Sequence, residues 1–138
     1  MKTTIKSIAL GIMILLLSVI LIPNSYAQSQ AGPLTQIIIY SGDKPGTGPG
    51  LSALKLTVGE EATVTAKGVD ENGKDVPIWP TWKADKELSV RVVEGRSKTV
   101  VVKAVKESAV AAFFTAVYIT DDGKKVKGEG MVNIKAKK

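Results

Sequence analysis

The chain has 138 residues, with 19 lysines and arginines against 13 aspartates and glutamates, and it contains neither cysteine nor histidine. Without cysteine there are no disulfides and no thiol catalysis, and without histidine there are no Ser-His-Asp triads and no histidine-based zinc sites. With no other cofactor motif in the sequence, no cofactor is predicted.

The first 27 residues have the layout of a secretory signal peptide. Lys2 and Lys6 precede an uncharged apolar run at residues 8–22, and the small residues Ser25 and Ala27 follow. The run is 15 residues long, whereas a membrane span needs roughly 20. We predict cleavage after Ala27, no stable membrane span afterwards, and a secreted or periplasmic protein, with attachment at the cell surface as a further alternative.

Cleavage leaves 111 residues, enough for one domain, and lowers the formal net charge from +6 to +4. A mildly basic surface favours anionic partners weakly. Nucleic acid is not expected as a partner, because the protein is exported and its lysines alternate with acidic residues.

The segment after the signal peptide predicts one strand and one irregular loop. Residues 34–40 contain β-branched and aromatic residues typical of a strand. Residues 42–50 are too rich in glycine and proline for a regular element. Residues 28–50 are therefore predicted as an N-terminal strand and Gly/Pro-rich loop that precede the main domain at residues 51–138.

Apolar and polar residues alternate along most of the remaining chain, which is typical of half-buried strands. The apolar faces are Leu54, Leu56 and Val58; Ala62, Val64 and Ala66; Leu88, Val90 and Val92; and Val132, Ile134 and Ala136. Residues 99–105 and 76–83 predict further strands, the second kinked at Pro80. The pair Asn72-Gly73 predicts a tight hairpin turn. The pattern indicates an all-β sandwich of about seven to eight strands.

Residues 108–120 carry apolar side chains at both odd and even positions. The segment is also rich in alanine, so a buried helix is an alternative to a strand. The β-branched tail and the turn sequence Asp121-Asp122-Gly123 favour a central strand that is buried on both faces.

From Leu51 onward the sequence resembles the bacterial immunoglobulin-like domain of group 2, the module of intimin- and invasin-type surface proteins. The matching segments are Leu54-x-Leu56-x-Val58-Gly59-Glu60, residues 62–66, Asn72-Gly73, Thr81-Trp82, residues 100–104 and residues 109–120. The resemblance implies an Ig-like β-sandwich and a surface role. The chain departs from the family in having one copy, in carrying Lys106-Glu107-Ser108 where a glycine is usual, and in adding residues 34–50.

Two tryptophans invite different interpretations. Trp82 shares parity with Ile78 and is expected in the core. Trp79 has the opposite parity, so a regular strand would point it outward as a platform for a sugar ring or for a partner's side chain. Local packing against Pro77 and Pro80 is the alternative.

The Gly/Pro-rich loop is the second candidate for partner binding. Its candidate residues are Asp43, Lys44, Pro45, Thr47 and Pro49. The alternative is a flexible connector without a binding role. The lysines at positions 124, 125, 127, 135, 137 and 138 cluster along the last part of the sequence. They either solvate a strand edge or bind an anionic envelope polymer.

Two acidic turns superficially suggest calcium. Residues 70–75 place oxygen-bearing side chains at alternate positions, but the twelfth position is Thr81 instead of glutamate, and Lys74 adds a positive charge. Asp121-Asp122 lies beside two lysines. Hairpin turns are favoured at both places, and no metal is predicted.

The sequence as a whole indicates an exported, non-enzymatic Ig-like binding or structural module of the bacterial cell envelope, with an adhesive role as one form of it. Its partner is expected to be a protein or an envelope glycan or polymer. The alternative is a soluble periplasmic or extracellular accessory subunit of a larger complex. A hydrolase using carboxylates or a Ser-Lys pair is a third class, but no motif brings such groups together.

Overall fold

Alternating sequence becomes paired strands throughout the part of the chain that the computed structural model describes, residues 30–138. The predicted signal peptide lies outside these residues. The described part forms nine strands and contains no helix. The strands are β1 Gln36–Ser41, β2 Leu54–Thr57, β3 Glu61–Val69, β4 Asp75–Val76, β5 Thr81–Ala84, β6 Leu88–Val93, β7 Arg96–Ala104, β8 Ala112–Ile119 and β9 Lys125–Lys135.

The strands form two sheets whose order is that of an immunoglobulin-like sandwich. The first sheet has the order β1-β3-β7-β6, with β4 also paired to β3, and the second has the order β2-β9-β8-β5. All pairings are antiparallel except that of β2 with β9. In the lettering of the Ig fold, strands A, B, D and E of one sheet correspond to β1, β3, β6 and β7. Strands C, F and G of the opposing sheet correspond to β5, β8 and β9. The predicted Ig-like sandwich is confirmed.

β1 is an integral strand of the first sheet. It pairs with β3 from Gln36 opposite Val69 to Ser41 opposite Val64, and one compact unit extends from Ala31 to Lys138. The sandwich therefore includes the strand that lies outside the group 2 resemblance.

The core lies between the two sheets and is built from the inward-facing residues of the alternating strands. Its most deeply buried large side chains are Phe114, Ile78, Val64, Val100, Val102 and Val132. Trp82 is half-buried against this core, 6.2 Å from Phe114 between ring centroids. Its indole Nε1 donates a hydrogen bond of 2.8 Å to the Ser97 carbonyl, which links β5 of the second sheet to β7 of the first.

The prediction of one kinked strand at residues 76–83 is wrong. Val76 ends β4 in the first sheet, and Thr81 begins β5 in the second sheet. Proline removes a backbone donor and forces the residue before it into an extended conformation. Pro77 and Pro80 therefore favour an extended segment that crosses between the sheets without joining either ladder.

The strand interpretation of residues 108–120 is confirmed, since β8 occupies Ala112–Ile119 at an interior position of the second sheet. The expectation of burial on both faces holds only for part of the strand, since Val117 on the outer face is buried but its neighbours on that face are not. Ala112, Phe114 and Ala116 point into the core, whereas Phe113 is 36% exposed and Ile119 is 61% exposed. In a two-sheet sandwich only the inner face of each sheet packs against the other sheet, so Phe113 and Ile119 on the outer face meet solvent.

Candidate functional site

The Gly/Pro-rich loop, residues 42–50, folds back over the outer face of the first sheet. We call these residues the flap. The Thr65 hydroxyl donates to the Gly42 carbonyl at 2.9 Å, and the Tyr40 hydroxyl donates to the Gly48 carbonyl at 2.8 Å. Gly46 lies so close to Tyr40 that a Cβ there would be 3.0 Å from the ring. The flap is therefore held against the sheet at Gly42, Gly46 and Gly48, while residues 43–49 remain exposed on its outer side.

The flap buries polar side chains that would otherwise face solvent. Thr65 and Thr99 lie opposite each other on β3 and β7, are each 3% exposed, and share a hydroxyl–hydroxyl hydrogen bond of 3.2 Å. Tyr40 is 7% exposed. Because these groups are satisfied beneath the flap, its removal would expose a polar and aromatic patch of the sheet.

An open groove of about 650 Å³ lies beside the flap, and we call it the flap groove. Its walls are residues 43–45 of the flap, residues 75–79 of β4 and the crossing segment, and residues 95–99 of the β6–β7 turn and the beginning of β7. Its floor is residues 65–68 of β3.

The groove exists because β3 changes partners along one edge. Its pairing with β7 ends at Thr65, and its pairing with β4 begins at Gly68. Ala66 and Lys67 therefore lie in the gap between the two neighbouring strands. The Trp82–Ser97 hydrogen bond ties the beginning of β7 to the second sheet, on the far side of this gap.

Trp79 is held outward at the rim of the groove. Ile78 before it is 2% exposed and Pro80 after it is buried, whereas Trp79 itself is 68% exposed. Ile78 fits against Gly68, where a Cβ would approach its Cγ2 to 2.7 Å. The Tyr118 ring supports the indole at a centroid distance of 6.4 Å and an interplanar angle of 41°. Anchors on both sides thus fix an aromatic surface that remains open to solvent.

Charged side chains surround the groove, and cations outnumber carboxylates. Lys67 pairs with Asp75 at 3.2 Å, and Arg96 lies 4.0 Å from Asp43. Lys44 and Lys98 also line the groove, and both residues are exposed. The groove can therefore offer paired donors and acceptors together with extra positive charge.

The structure brings four of the six predicted partner-binding residues to one place. Asp43, Lys44, Pro45 and Trp79 line the flap groove. Thr47 and Pro49 are exposed on the remainder of the flap and do not line it.

Sequence reasoning missed Lys67, Arg96 and Lys98. Each looks like an ordinary solvated lysine or arginine of a strand. Only the long-range pairing of β3 places them beside the flap, and no local motif signals that pairing.

The lysine cluster predicted from the sequence is divided between the two ends of the sandwich. Lys125 begins β9 and Lys135 ends it, which separates them by about 33 Å at roughly 3.3 Å per residue. Positions 124–127 and 135–138 therefore cannot act as one basic patch.

Each acidic turn engages a carboxylate in hydrogen bonds within the turn, and in the first turn the donors are backbone N–H groups. Asp70 accepts from the N–H groups of Gly32 at 2.7 Å, Asn72 at 2.8 Å and Lys74 at 2.9 Å. The Gly32 bond, followed by the Lys74 bond, holds the pKa of this carboxyl below its ordinary value. A type I′ hairpin turn requires a positive φ at both of its central residues. In this turn Gly73 has a φ of 79°, but Asn72 does not have a positive φ, so the Asn-Gly pair does not form a type I′ turn.

The second turn repeats this pattern. In the first turn, the Asp70 N–H donates to the Lys74 carbonyl and the Gly73 N–H donates to the Asp70 carbonyl. In the second turn, the Thr120 N–H donates to the Lys124 carbonyl and the Gly123 N–H donates to the Thr120 carbonyl. The Thr120 hydroxyl donates to Asp122 and lowers the pKa of that carboxyl. Within residues 30–138, no group of three or more acidic side chains is arranged to hold a metal ion.

Comparison with known proteins adds to the fold assignment. No protein-family model matches the chain, and no curated protein matches it. Among solved structures, domains 4 and 5 of the S-layer protein SbsC are similar, with 23% identity, a TM-score of 0.50, and coverage of 75% of this chain and 55% of that one.

No helix in the described part of this chain could cross a lipid bilayer.

Two further structures are more distant. A nucleoside hydrolase-related hypothetical protein from Saccharophagus degradans, associated with carbohydrate metabolism, has 10% identity and a TM-score of 0.48 over 74% of this chain and 26% of that one. Tandem Ig repeats of Dlar have 15% identity and a TM-score of 0.42 over 77% of this chain and 50% of that one. The chain spans 55% of the SbsC chain, 26% of the hydrolase-related chain and 50% of the Dlar chain, and the likeness to SbsC concerns the fold alone.

Proposed function

We propose that the protein is an exported, non-enzymatic Ig-like module of the bacterial cell envelope that binds its partner in the flap groove, an adhesive role being one form of this activity. The observation that carries the proposal is Trp79, a large aromatic side chain that is exposed yet held in place beside the flap. Rigid scaffolds commonly present binding residues on their loops. Exposed aromatic residues are frequent anchors of recognition.

The proposal extends to export and to family type. The basic, apolar and small-residue order of residues 1–27 supports export, and the motifs from Leu54 to Trp82 support the group 2 bacterial Ig type. The non-enzymatic assignment is supported by the roles of the perturbed carboxylates. Asp70 and Asp122 both serve turns, and neither lines the flap groove.

The proposal is tested by co-sedimentation of the purified protein with fragments of the producing cell's envelope. Trp79→Ala should lower the bound fraction markedly, whereas Ile119→Ala should leave it unchanged. Ile119 is the matched control because it is also a large exposed side chain, 61% exposed, but lies on β8 of the second sheet.

Circular dichroism melting of both variants checks that the sandwich is intact. Binding that depends on Ile119 and not on Trp79 would move the site to the second sheet. If protease treatment of the fragments abolishes binding, the partner is a protein, and this result would favour the accessory-subunit alternative.

A further inference from the structure

We propose that the flap groove takes an acidic polysaccharide, with one sugar ring stacked on Trp79 and the acid groups of the polymer facing Lys44 and Lys98. This inference rests on the proposed binding function and specifies the chemistry of its ligand.

The charge balance of the groove favours an anionic ligand. Four cations line it, Lys44, Lys67, Arg96 and Lys98, against the two carboxylates of Asp43 and Asp75. Both carboxylates are already engaged, Asp75 with Lys67 and Asp43 with Arg96. Among residues 30–138, neither Lys44 nor Lys98 forms a salt bridge, and a concave surface with excess positive charge attracts anions.

Trp79 favours a sugar over an ion alone. The apolar C–H face of a pyranose ring matches the area and flatness of an indole, and its C–H bonds meet the negative face of the aromatic ring. The indole is already fixed by buried Ile78, buried Pro80 and the Tyr118 ring. Stacking on it therefore costs little side-chain entropy.

The two ion pairs match the hydroxyl groups of a sugar. A hydroxyl both donates and accepts, so it can bridge a carboxylate and a neighbouring cation. Lys67–Asp75 and Arg96–Asp43 each present such a pair in the groove. The groove is open to solvent, which lets a polymer enter and leave without a chain end.

An acidic peptide is the competing occupant, and the floor of the groove disfavours it. An extended peptide binds a sheet by adding a strand to a free edge. Here the gap between the β7 and β4 pairings extends only over Ala66 and Lys67. Two residues offer too short an edge for a ladder.

The test is isothermal titration of the purified protein with two polyanions and their neutral counterparts. Polygalacturonate is paired with its carboxyl-reduced form, and dextran sulfate with dextran. We expect binding to at least one acidic polymer, weakening with added salt, and no binding to its neutral counterpart. Trp79→Ala should weaken this binding about tenfold or more, while Trp79→Phe, which keeps an aromatic face, should retain most of it.

The charge assignment has its own matched variants. The double variant Lys44→Ala/Lys98→Ala should weaken binding about tenfold and reduce its salt dependence. Lys137→Ala/Lys138→Ala removes the same charge from the far end of β9 and should change neither.

Each other result overturns the inference. Equal binding of the neutral polymers removes the role of charge, and equal or tighter binding of poly-L-glutamate assigns the groove to acidic peptides. If envelope fragments bind through Trp79 but neither acidic polymer does, the acidic-sugar assignment fails and the binding function stands. If neither the fragments nor the polymers bind through Trp79, both proposals fail.

Discussion

Asp70 joins two parts of the chain that are 38 residues apart. Its carboxylate receives the Gly32 N–H from the segment before β1 and the Asn72 and Lys74 N–H groups from its own turn. The residue is 3% exposed, so the charged form depends on these donors in place of water. One residue therefore fixes both the β3–β4 turn and the entry of the chain into the sandwich.

We predict that Asp70→Asn lowers the free energy of unfolding at pH 7 and flattens its loss in acid. The pKa of Asp70 is lowered from an ordinary value of 3.8, so the unfolded chain binds the proton more tightly than the folded one. The stability that this group contributes is present above its unfolded pKa and is lost as pH falls through its folded pKa. Urea denaturation from pH 7 to pH 2.5 measures both effects.

The control for this variant is Asp121→Asn. Asp121 is exposed in the second turn, and no hydrogen bond to its carboxylate is found in the described part of the chain. This variant should leave the free energy of unfolding at pH 7 close to that of the parent. An Asp70 variant with the parent's acid profile would show that the three backbone bonds contribute little.

Single residues explain which parts of the site the sequence could predict. Parity would point Trp79 outward on a regular strand, with local packing as the alternative; the residue is 68% exposed, but for a different physical reason. Trp79 does not sit on a strand, because Pro77 and Pro80 keep the segment out of both ladders. Lys67, Arg96 and Lys98 could not be predicted, because their meeting depends on where β3 changes partners.

At the scale of elements, the flap differs most from what its composition suggests. A segment rich in glycine and proline reads as a loose connector, and replacing residues 43–49 with a short Gly-Ser linker would then leave the thermal midpoint nearly unchanged. The flap instead covers Tyr40, Thr65 and Thr99. We therefore expect that replacement to lower the thermal midpoint, so point variants are the better probes of binding.

The flap ends at a glycine that no other residue can replace without strain. Gly50 has a φ of +85°, and a Cβ there would approach Ile38 Cγ2 to 2.5 Å and the Ile39 carbonyl oxygen to 2.7 Å. Gly48 has a similar φ of +83° but nothing within 4 Å of the Cβ position. The two glycines separate backbone strain from steric overlap within one loop.

We predict that Gly48→Ala costs about 1–2 kcal/mol, the usual penalty for a left-handed backbone with a side chain. Gly50→Ala should cost a further 1–3 kcal/mol or so, because the added methyl group must displace β1 or the chain leading to β2. Guanidinium denaturation of both variants measures the difference. Equal losses would show that the flap end moves away freely, which would contradict the packing described here.

At the scale of the whole molecule, the architecture was predictable because its causes are local. Period-two alternation defined most strands, and their spacing indicated a sandwich, which the structure confirms. The crossing from β4 to β5 was not predictable, since the apolar content of residues 76–83 suits one strand as well as two. The group 2 type and export stay predictions.

Export predicts a defined mature protein. Cleavage after Ala27 should give an exported chain that begins at Gln28, because Ser25 and Ala27 provide the small residues that the cleavage site requires. Intact-mass spectrometry of the exported protein measures this directly. Introducing a charged residue into the apolar run by Leu15→Arg should block export, while Lys124→Ala should not. Recovery of full-length chain only from membranes would contradict cleavage.

The parallel pairing of β2 with β9 has a mechanical consequence. The chain enters the sandwich beside Val69, whose carbonyl accepts a hydrogen bond from the Thr35 N–H. At the opposite end of the sandwich, β9 ends with Lys135 beside Thr57. Tension between these points acts along the strand axes. The four residue pairs from Leu54–Val132 to Thr57–Lys135 are then sheared together and are not unzipped one after another. Resistance of this kind is expressed in the rate of unfolding under load rather than in the equilibrium stability.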